Sequence, residues 1–320
     1  GLIHSAVTDL DAQVLFHDVA PLPADPGDAE GVLQATIGAI KHAMDASGIA
    51  SERFLGAGIG LAGVVDGRRG LVRYSPYFGW HDYAFAQPIS GALGLPVHLE
   101  NDVNTLTIAE QWFGYGHGRD HFAVVTVGRG VGAGLVFNGQ FYRGALGGAG
   151  EFGHITLRDG GPLCACGKRG CLEALAADPA VLREVQDGLA AGEASSLAGD
   201  AVLTMEGIVA AADGGDALAR RALADAGHWL GIGLANLVNL LNPELIILGG
   251  EGLSAGEWRL GPMREALREH VFNGLADSLE IVVEPSGDEA WARGAACVVL
   301  RELFESPMHR EEAQNTVPVD

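Results

Sequence analysis

Short apolar runs and longer helical periodicities alternate along this chain. Leu2–Thr8 and Gln13–Val19 are β-type runs joined at Asp9–Ala12, and Pro21–Gly27 reads as a loop. Asp28 is placed to cap a helix that ends at Gly48. Phe54–Leu61 is a further β-rich run, followed by a turn at Asp66-Gly67. Val97–Glu100 follows Pro96 as a short strand, and Asn101–Phe113 has helical spacing. Phe122–Val127 and Val131–Phe137 flank a glycine-rich turn, and Asn138-Gly139 predicts a hairpin into Gln140–Tyr142. Residues 144–173 are irregular and rich in Gly and Cys, and helices dominate from about Glu173 to Leu241. Leu245–Leu248 predicts a strand leading into Gly249-Gly250. A helix over Pro262–Leu275, a strand over Ile281–Glu284 and a closing helix over Ala290–Leu303 complete the pattern. The polar tail from Pro307 is expected to be disordered.

Strands and helices therefore alternate in both halves of a 320-residue chain, a length that suits two domains. The expectation is two α/β domains with a ligand cleft between them. With 48% apolar residues, the chain can fill real cores. The net charge of −21 repels phosphate polymers, so this chain by itself is a poor nucleic-acid binder. The plainer consequence of such a surface is solubility. No apolar run reaches the roughly 18 residues that suggest a membrane span, and no signal peptide is visible. No membrane partner is expected.

Only four cysteines occur, too few for a disulfide scaffold, and three of them cluster in Cys164-Ala165-Cys166-Gly167-Lys168-Arg169-Gly170-Cys171. That spacing points to metal binding in a reducing compartment, so a cytoplasmic location is expected. Zinc takes four soft or borderline ligands in a tetrahedron, and His154 lies ten residues upstream of Cys164 as the fourth. A set of His154, Cys164, Cys166 and Cys171 leaves no open position, which predicts a structural zinc. The alternative is a group of reduced, unliganded thiols. Cys297 sits in the apolar run Ala295-Ala296-Cys297-Val298-Val299 and reads as a small buried hydrophobe.

Two carboxylates flank this cluster. Glu151 precedes His154 by three residues, and Glu173 follows Cys171 by two. Carboxylates beside an imidazole suit vicinal hydroxyls, which donate hydrogen bonds. His154 can hold a metal through one ring nitrogen and a hydroxyl through the other. The same acids would otherwise be solvated or cap helices. Asn101-Asp102 stands at a strand-to-helix junction, where α/β proteins bind ligands. Asp102 can act as a base toward a hydroxyl, as phosphoryl transfer requires. Spacing alone favours a helix cap there. The amides of Gly128-Arg129-Gly130-Val131-Gly132 can cradle a phosphate, and Gly249-Gly250 can approach a nucleotide closely. The first pattern also fits an ordinary hairpin.

In order, Gly60-Leu61-Ala62-Gly63-Val64-Val65-Asp66, Glu100-Asn101-Asp102-Val103-Asn104, the glycine turn, Gly150-Glu151-Phe152-Gly153-His154, the Cys cluster ending Gly170-Cys171-Leu172-Glu173, and Asn242-Pro243-Glu244-Leu245-Ile246-Ile247-Leu248-Gly249-Gly250 form one series. The chain resembles the ROK family (repressor, open reading frame, kinase) from Gly1 to about Leu303. The resemblance implies a two-domain actin-like, hexokinase-type (ribonuclease H-like) α/β fold around a sugar cleft. It implies a first domain over 1–102, completed by the helix at about 290–303, a larger domain over 103–289 carrying the zinc loop 150–173, and a tail over 304–320. It implies that Gly63, Asn101, Asp102, Glu151, His154 and Glu173 meet the sugar. In those members that are kinases, it implies Asp102 as catalytic base, with ATP and Mg as cofactors.

Two departures bear on function. Family kinases carry an Asp-x-Gly-Gly-Thr phosphate motif just before the strand that Leu2–Thr8 matches, and this chain begins at Gly1, after that point. Kinases also carry threonine where Arg129 stands. The wording of Glu110-Gln111-Trp112-Phe113-Gly114 and Arg143-Gly144-Ala145 is closer to the repressor branch. The expectation is the sugar-sensing domain of a ROK-type transcriptional regulator, binding a small sugar or sugar phosphate. Its DNA-binding helix-turn-helix is expected upstream of Gly1, and a homodimer or homotetramer is expected. The alternative is an ATP-dependent hexose kinase using Asp102.

Overall fold

The computed structural model describes residues 1–199, 201–284 and 288–304. The chain forms two compact units, one of Gly1–Ala109 with the chain from Asp288 onward, the other of Glu110–Gly287. The expected tail lies outside the described residues from position 305, and Phe304 still belongs to the last helix.

In the first unit, β1 (Leu2–Thr8) and β2 (Val14–Pro21) pair antiparallel, with Leu2 opposite Pro21. The Asp9 carboxylate closes their turn by accepting the N–H groups of Asp11 and Gln13. α1 (Ala29–Ala46) starts where the Asp28 side chain accepts the Gly31 N–H, which satisfies one of the orphan donors of the first turn. β3 (Ala57–Leu61) is followed by β4 (Val64–Asp66), β5 (Leu71–Ser75) and β6 (Trp80–Ala84), an antiparallel sheet of three short strands. α2 (Ala86–Leu93) leads to β7 (Val97–Asn101), which lies parallel to β3 and sets Asn101 opposite Leu61. α3 (Asp102–Phe113) begins where β7 stops.

Apart from the Asp66-Gly67 turn, nothing in the pattern of residues 64–93 revealed β4, β5, β6 or α2. Strands of three to five residues are too short to show a period. Their Val65, Val72, Trp80, Phe85 and Ile89 nonetheless form a core with Leu99 and with Val32, Leu33 and Ile37 of α1. The C-terminal helix packs on β1, β3 and β7. It approaches β3 so closely that a side chain at Gly58 would collide with the Ala295 carbonyl. Cys297 is fully buried in that helix, and burial pushes its thiol up to about 12.

In the second unit, β8 (Phe122–Val127), β9 (Val131–Phe137) and β10 (Gln140–Tyr142) form a meander. The helices α4 (Leu172–Ala176), α5 (Asp178–Ala190), α6 (Met205–Asp213) and α7 (Ala217–Leu241) follow. β11 (Leu245–Gly249), α8 (Glu257–His270) and β12 (Glu280–Val283) end the unit, and the terminal helix Asp288–Phe304 is α9. The sheet order is β10-β9-β8-β11-β12, with β11 parallel to both β8 and β12. Every residue of β8 and β11 is buried. That is why these strands read as almost unbroken apolar runs and show no alternation. Leu230, Leu234 and Val238 of α7 pack with Ile246, Leu248 and Met263. A second cluster, Val185, Ile208, Leu218 and Leu223, joins α5, α6 and α7.

The helix expected over Pro262–Leu275 instead spans Glu257–His270, with Pro262 inside it. Proline reads as a start signal because it lacks an N–H, but here a turn of helix precedes it. The anchor of that turn is Arg259, which is fully buried. Its guanidinium donates to the Gly252 carbonyl and to Asp178 Oδ1, both at 2.8 Å.

Glu184 on α5 lies 3.6 Å from Arg221 Nε and faces Asp225, both on α7. Burial and the Asp225 charge raise its carboxyl from the ordinary 4.5 to about 7. A raised carboxyl binds its proton more tightly in the folded chain, so its contribution to stability falls as pH rises from about 4.5 to 7. Glu184→Gln is therefore expected to raise the melting temperature at pH 8 and to leave it nearly unchanged at pH 4.5. Thermal melts of both proteins at the two pH values check this, and equal melting temperatures at pH 8 contradict it.

Candidate functional site

Between β10 and α4 the chain has little regular structure, yet it is tied down closely. The Ala133 N–H of β9 donates to the Gly150 carbonyl at 3.1 Å. Gly150 has φ +88°, and a Cβ there would collide with the Ala133 carbonyl. A short 3-10 turn, Phe152–His154, buries Phe152 in the sheet's core. Beyond it, isolated bridges pair Thr156 with Cys171 and Leu163 with Arg169. Gly170 makes the crossing possible. Its N–H donates to the Pro162 carbonyl at 2.8 Å, its φ is +70°, and any side chain would strike the Arg158 carbonyl.

This folding gathers one ring nitrogen of His154 and the sulfurs of Cys164, Cys166 and Cys171 within 4.8 Å of one another. Cys164 Sγ lies 3.5 Å from His154 Nδ1, and the sulfurs of Cys166 and Cys171 are 3.7 Å apart. A tetrahedral ion bound by sulfur at about 2.3 Å and nitrogen at about 2.0 Å has edges of about 3.5 Å (S–N) and about 3.8 Å (S–S). A disulfide would need about 2.05 Å. The donor set and these two edges therefore fit a metal ion. Burial pushes the Cys164 thiol up, and burial with the Cys166 contact pushes Cys171 up. For Cys166, burial acts against ionisation, but a backbone hydrogen bond from Lys168 and contacts with the other two thiols outweigh it and lower its value. A bound cation would offset the cost of holding thiolates at the two raised positions.

The same loop carries the two acids. With Nδ1 turned to the cysteines, His154 Nε2 lies 3.8 Å from Glu151 Oε2. Glu173 stands in the first turn of α4, with Oε1 3.6 Å from Cys164 Sγ. Its Oε2 accepts the Val131 N–H at 3.3 Å. Lys168 Nζ donates to the His154 carbonyl at 2.6 Å. Glu151 and Glu173 thus flank the four donor atoms within the second unit, and the imidazole presents one nitrogen to the cluster and the other to a carboxylate.

In the first unit, Gly63, Asn101 and Asp102 form a separate group. Asn101 is the N-cap of α3, because its Oδ1 accepts the Asn104 N–H at 3.1 Å. Its Nδ2 donates to the Gly63 carbonyl at 3.1 Å. Asp102 Oδ1 accepts the Val103 N–H at 2.9 Å. Below them, Glu100 is 1% exposed and accepts the Asn104 side-chain amide at 3.0 Å. The cap reading and the ligand reading of Asn101-Asp102 are thus compatible, since the cap fixes the pair at the carboxyl end of β7.

The glycine turns are adjacent because β8 and β11 are, with Gly249 opposite Thr126. Gly128 and Gly130 occupy the β8–β9 turn, whereas Gly132 lies within β9, paired with Thr126. Gly250 begins the turn after β11 at φ +96°. Sequence reasoning missed three residues here. Asp178 donates its N–H to the Gly128 carbonyl at 2.8 Å, Arg259 ties Asp178 to Gly252, and the Glu251 carboxylate accepts the Arg129 N–H at 2.9 Å. Glu251, next to Gly249-Gly250, was the only one with a visible signal. Asp178 and Arg259 meet across 81 residues, which no local pattern reports.

The sequence model of the ROK family matches residues 2–302. The glucokinase of Thermotoga maritima is 36% identical over 254 residues, covering 77% of this chain and 79% of its own. The xylose repressor of Caldicellulosiruptor bescii is 30% identical over 308 residues, covering 95% and 77%. Among solved structures, a ROK family transcriptional regulator described as a homolog of E. coli MLC superposes with a TM-score of 0.85 at 30% identity, covering 95% of this chain and 76% of that one. A ROK family glucokinase from Streptomyces griseus, in complex with glucose and AMPPNP, gives 0.81 at 31% identity, covering 93% and 95%. These similarities establish the mixed α/β, actin-like two-domain fold of the hexokinase type.

Purified protein is expected to carry about one metal ion per chain. Cys166→Ser should release it and speed amide exchange across 150–173 while the sheet stays protected. Metal analysis with hydrogen exchange checks both, and a metal-free wild type contradicts the assignment.

Proposed function

Because the chain belongs to the ROK family, shown by the match over residues 2–302, we propose that it is the sugar-sensing region of a ROK-type transcriptional regulator, built around a structural zinc ion. The observation that carries the sugar reading is the two-sided placement of His154, Nδ1 toward the three cysteines and Nε2 toward Glu151. Three sulfurs and one imidazole suit zinc and leave no open position for substrate. When bound, the ion supplies a fixed anchor for the loop. His154 Nε2 then meets a sugar hydroxyl in one orientation, and Glu151 and Glu173 accept hydrogen bonds from neighbouring hydroxyls. The family resemblance implies Gly63, Asn101 and Asp102 as further sugar contacts. Reduced thiols in such a centre suit the cytoplasm.

Regulation on this reading needs no chemistry at the sugar. A ligand that binds one conformation better than another shifts the population toward it. With a net charge of −21, DNA contact falls to a segment outside this chain. Arg129 in the glycine turn supports the regulator, as does the similarity to the MLC homolog and the xylose repressor. A second reading, an ATP-dependent sugar kinase, draws on the higher identity to glucokinase. In it, Asp102 takes the proton of the attacking hydroxyl, and Gly128, Gly130, Gly132, Gly249 and Gly250 hold the nucleotide with Mg.

Two measurements separate these statements. Glu151→Ala and Glu173→Ala should each weaken sugar binding by about 1–3 kcal/mol in calorimetry, since each removes a charge-assisted acceptor. Unchanged affinity in both rejects the receptor. A regulator should release no sugar-dependent ADP above background. Robust release across a hexose and pentose panel, abolished by Asp102→Asn with sugar affinity largely kept, would install the kinase.

A further inference from the structure

The turn between β8 and β9 presents two backbone N–H groups, of Arg129 and Val131, that can receive anions. Here the anions it holds are the protein's own. The Arg129 N–H donates to Glu251 Oε1 at 2.9 Å, and the Val131 N–H donates to Glu173 Oε2 at 3.3 Å. Glu251 lies against the turn so closely that a Cβ on Gly128 would overlap its carboxyl group.

This placement is held from both sides. Gly250, just before Glu251, lies against the Val127 backbone with no room for a side chain. The Gly252 carbonyl, just after it, accepts from the buried Arg259 at 2.8 Å. The other arm of Arg259 reaches Asp178, whose N–H holds the Gly128 carbonyl at 2.8 Å. One buried guanidinium therefore fixes both the turn and the loop that delivers the carboxylate to it.

We propose that Glu251 is a specificity-determining residue that stands in for a phosphate group at this turn and closes it to nucleotide phosphates. This rests on the regulator reading above, with the β8–β9 turn being the one that the kinase reading would use for nucleotide phosphates. A phosphate entering here would lose the Arg129 amide to Glu251 and would meet its negative charge at close range. Sugar binding around His154 does not need the Arg129 amide. The residue thus separates sugar sensing from nucleotide use with one side chain.

The test titrates AMPPNP with magnesium, and separately inorganic pyrophosphate, into the wild type, Glu251→Gly and Glu251→Gln. A sugar panel is titrated in parallel. Glu251→Gly should gain AMPPNP affinity by about tenfold or more over the wild type, because it removes both the charge and the competing acceptor. Glu251→Gln should gain less, since its amide oxygen still accepts the Arg129 N–H. Glu251 is exposed, and thermal melts confirm that each variant is folded. Equal AMPPNP affinity in all three proteins, or no gain in either folded variant, overturns the proposal. Sugar titrations that fail in all three reject the sugar-sensor reading and leave the AMPPNP comparison to stand by itself.

Discussion

Three cysteine sulfurs and a histidine nitrogen sit within 4.8 Å of one another in a loop with almost no regular structure. Burial raises the Cys164 and Cys171 thiols, so holding them as thiolates calls for a nearby cation. Cys171 is followed at once by α4 and Glu173, and His154 follows Glu151 by one 3-10 turn. Whatever fixes the four donor atoms therefore also fixes both acids. Gly150 lets the chain pass against the Ala133 carbonyl of β9, and Gly170 lets the loop cross itself at the Arg158 carbonyl. On the proposed reading, a structural ion organises a sugar receptor without touching the sugar.

A second constraint acts where β8 and β11 end side by side. Arg259 has no exposed surface, and its guanidinium is stable there only because Asp178 and the Gly252 carbonyl receive it. Burial raises the Asp178 carboxyl while the facing Arg259 charge opposes that rise. Removing either partner would leave a charge in the core, so the pair specifies how the two glycine turns sit against each other. Glu251 inherits its position from that arrangement.

Much of the fold was legible in the sequence because the long elements carry strong signals. Asp28 capping α1, the Asn138-Gly139 hairpin with both residues at positive φ, and the apolar runs of β8 and β11 all lie where periodicity and turn chemistry put them. The sheet of β4, β5 and β6 was hidden by the shortness of its strands, and the start of α8 by Pro262. The gathering of His154 with Cys164, Cys166 and Cys171 was legible because these residues lie close in sequence. The role of Asn101 was only half legible, since capping and ligand binding ask for the same residue type, and the structure shows the cap directly. Glu251 could not be read as an anion on the glycine turn, because its partner Arg129 is 122 residues away.

The central claim is that a metal ion held by His154, Cys164, Cys166 and Cys171 builds the sugar receptor. The most direct measurement is calorimetric titration of one sugar that binds into three samples of the same protein. These are metal-loaded, stripped with a chelator, and stripped then reloaded with zinc. The account predicts binding in the first, its loss in the second and its return in the third, with the sheet intact throughout by circular dichroism. Equal affinity in the loaded and stripped protein would contradict it, because the sugar contacts would then be organised without the metal.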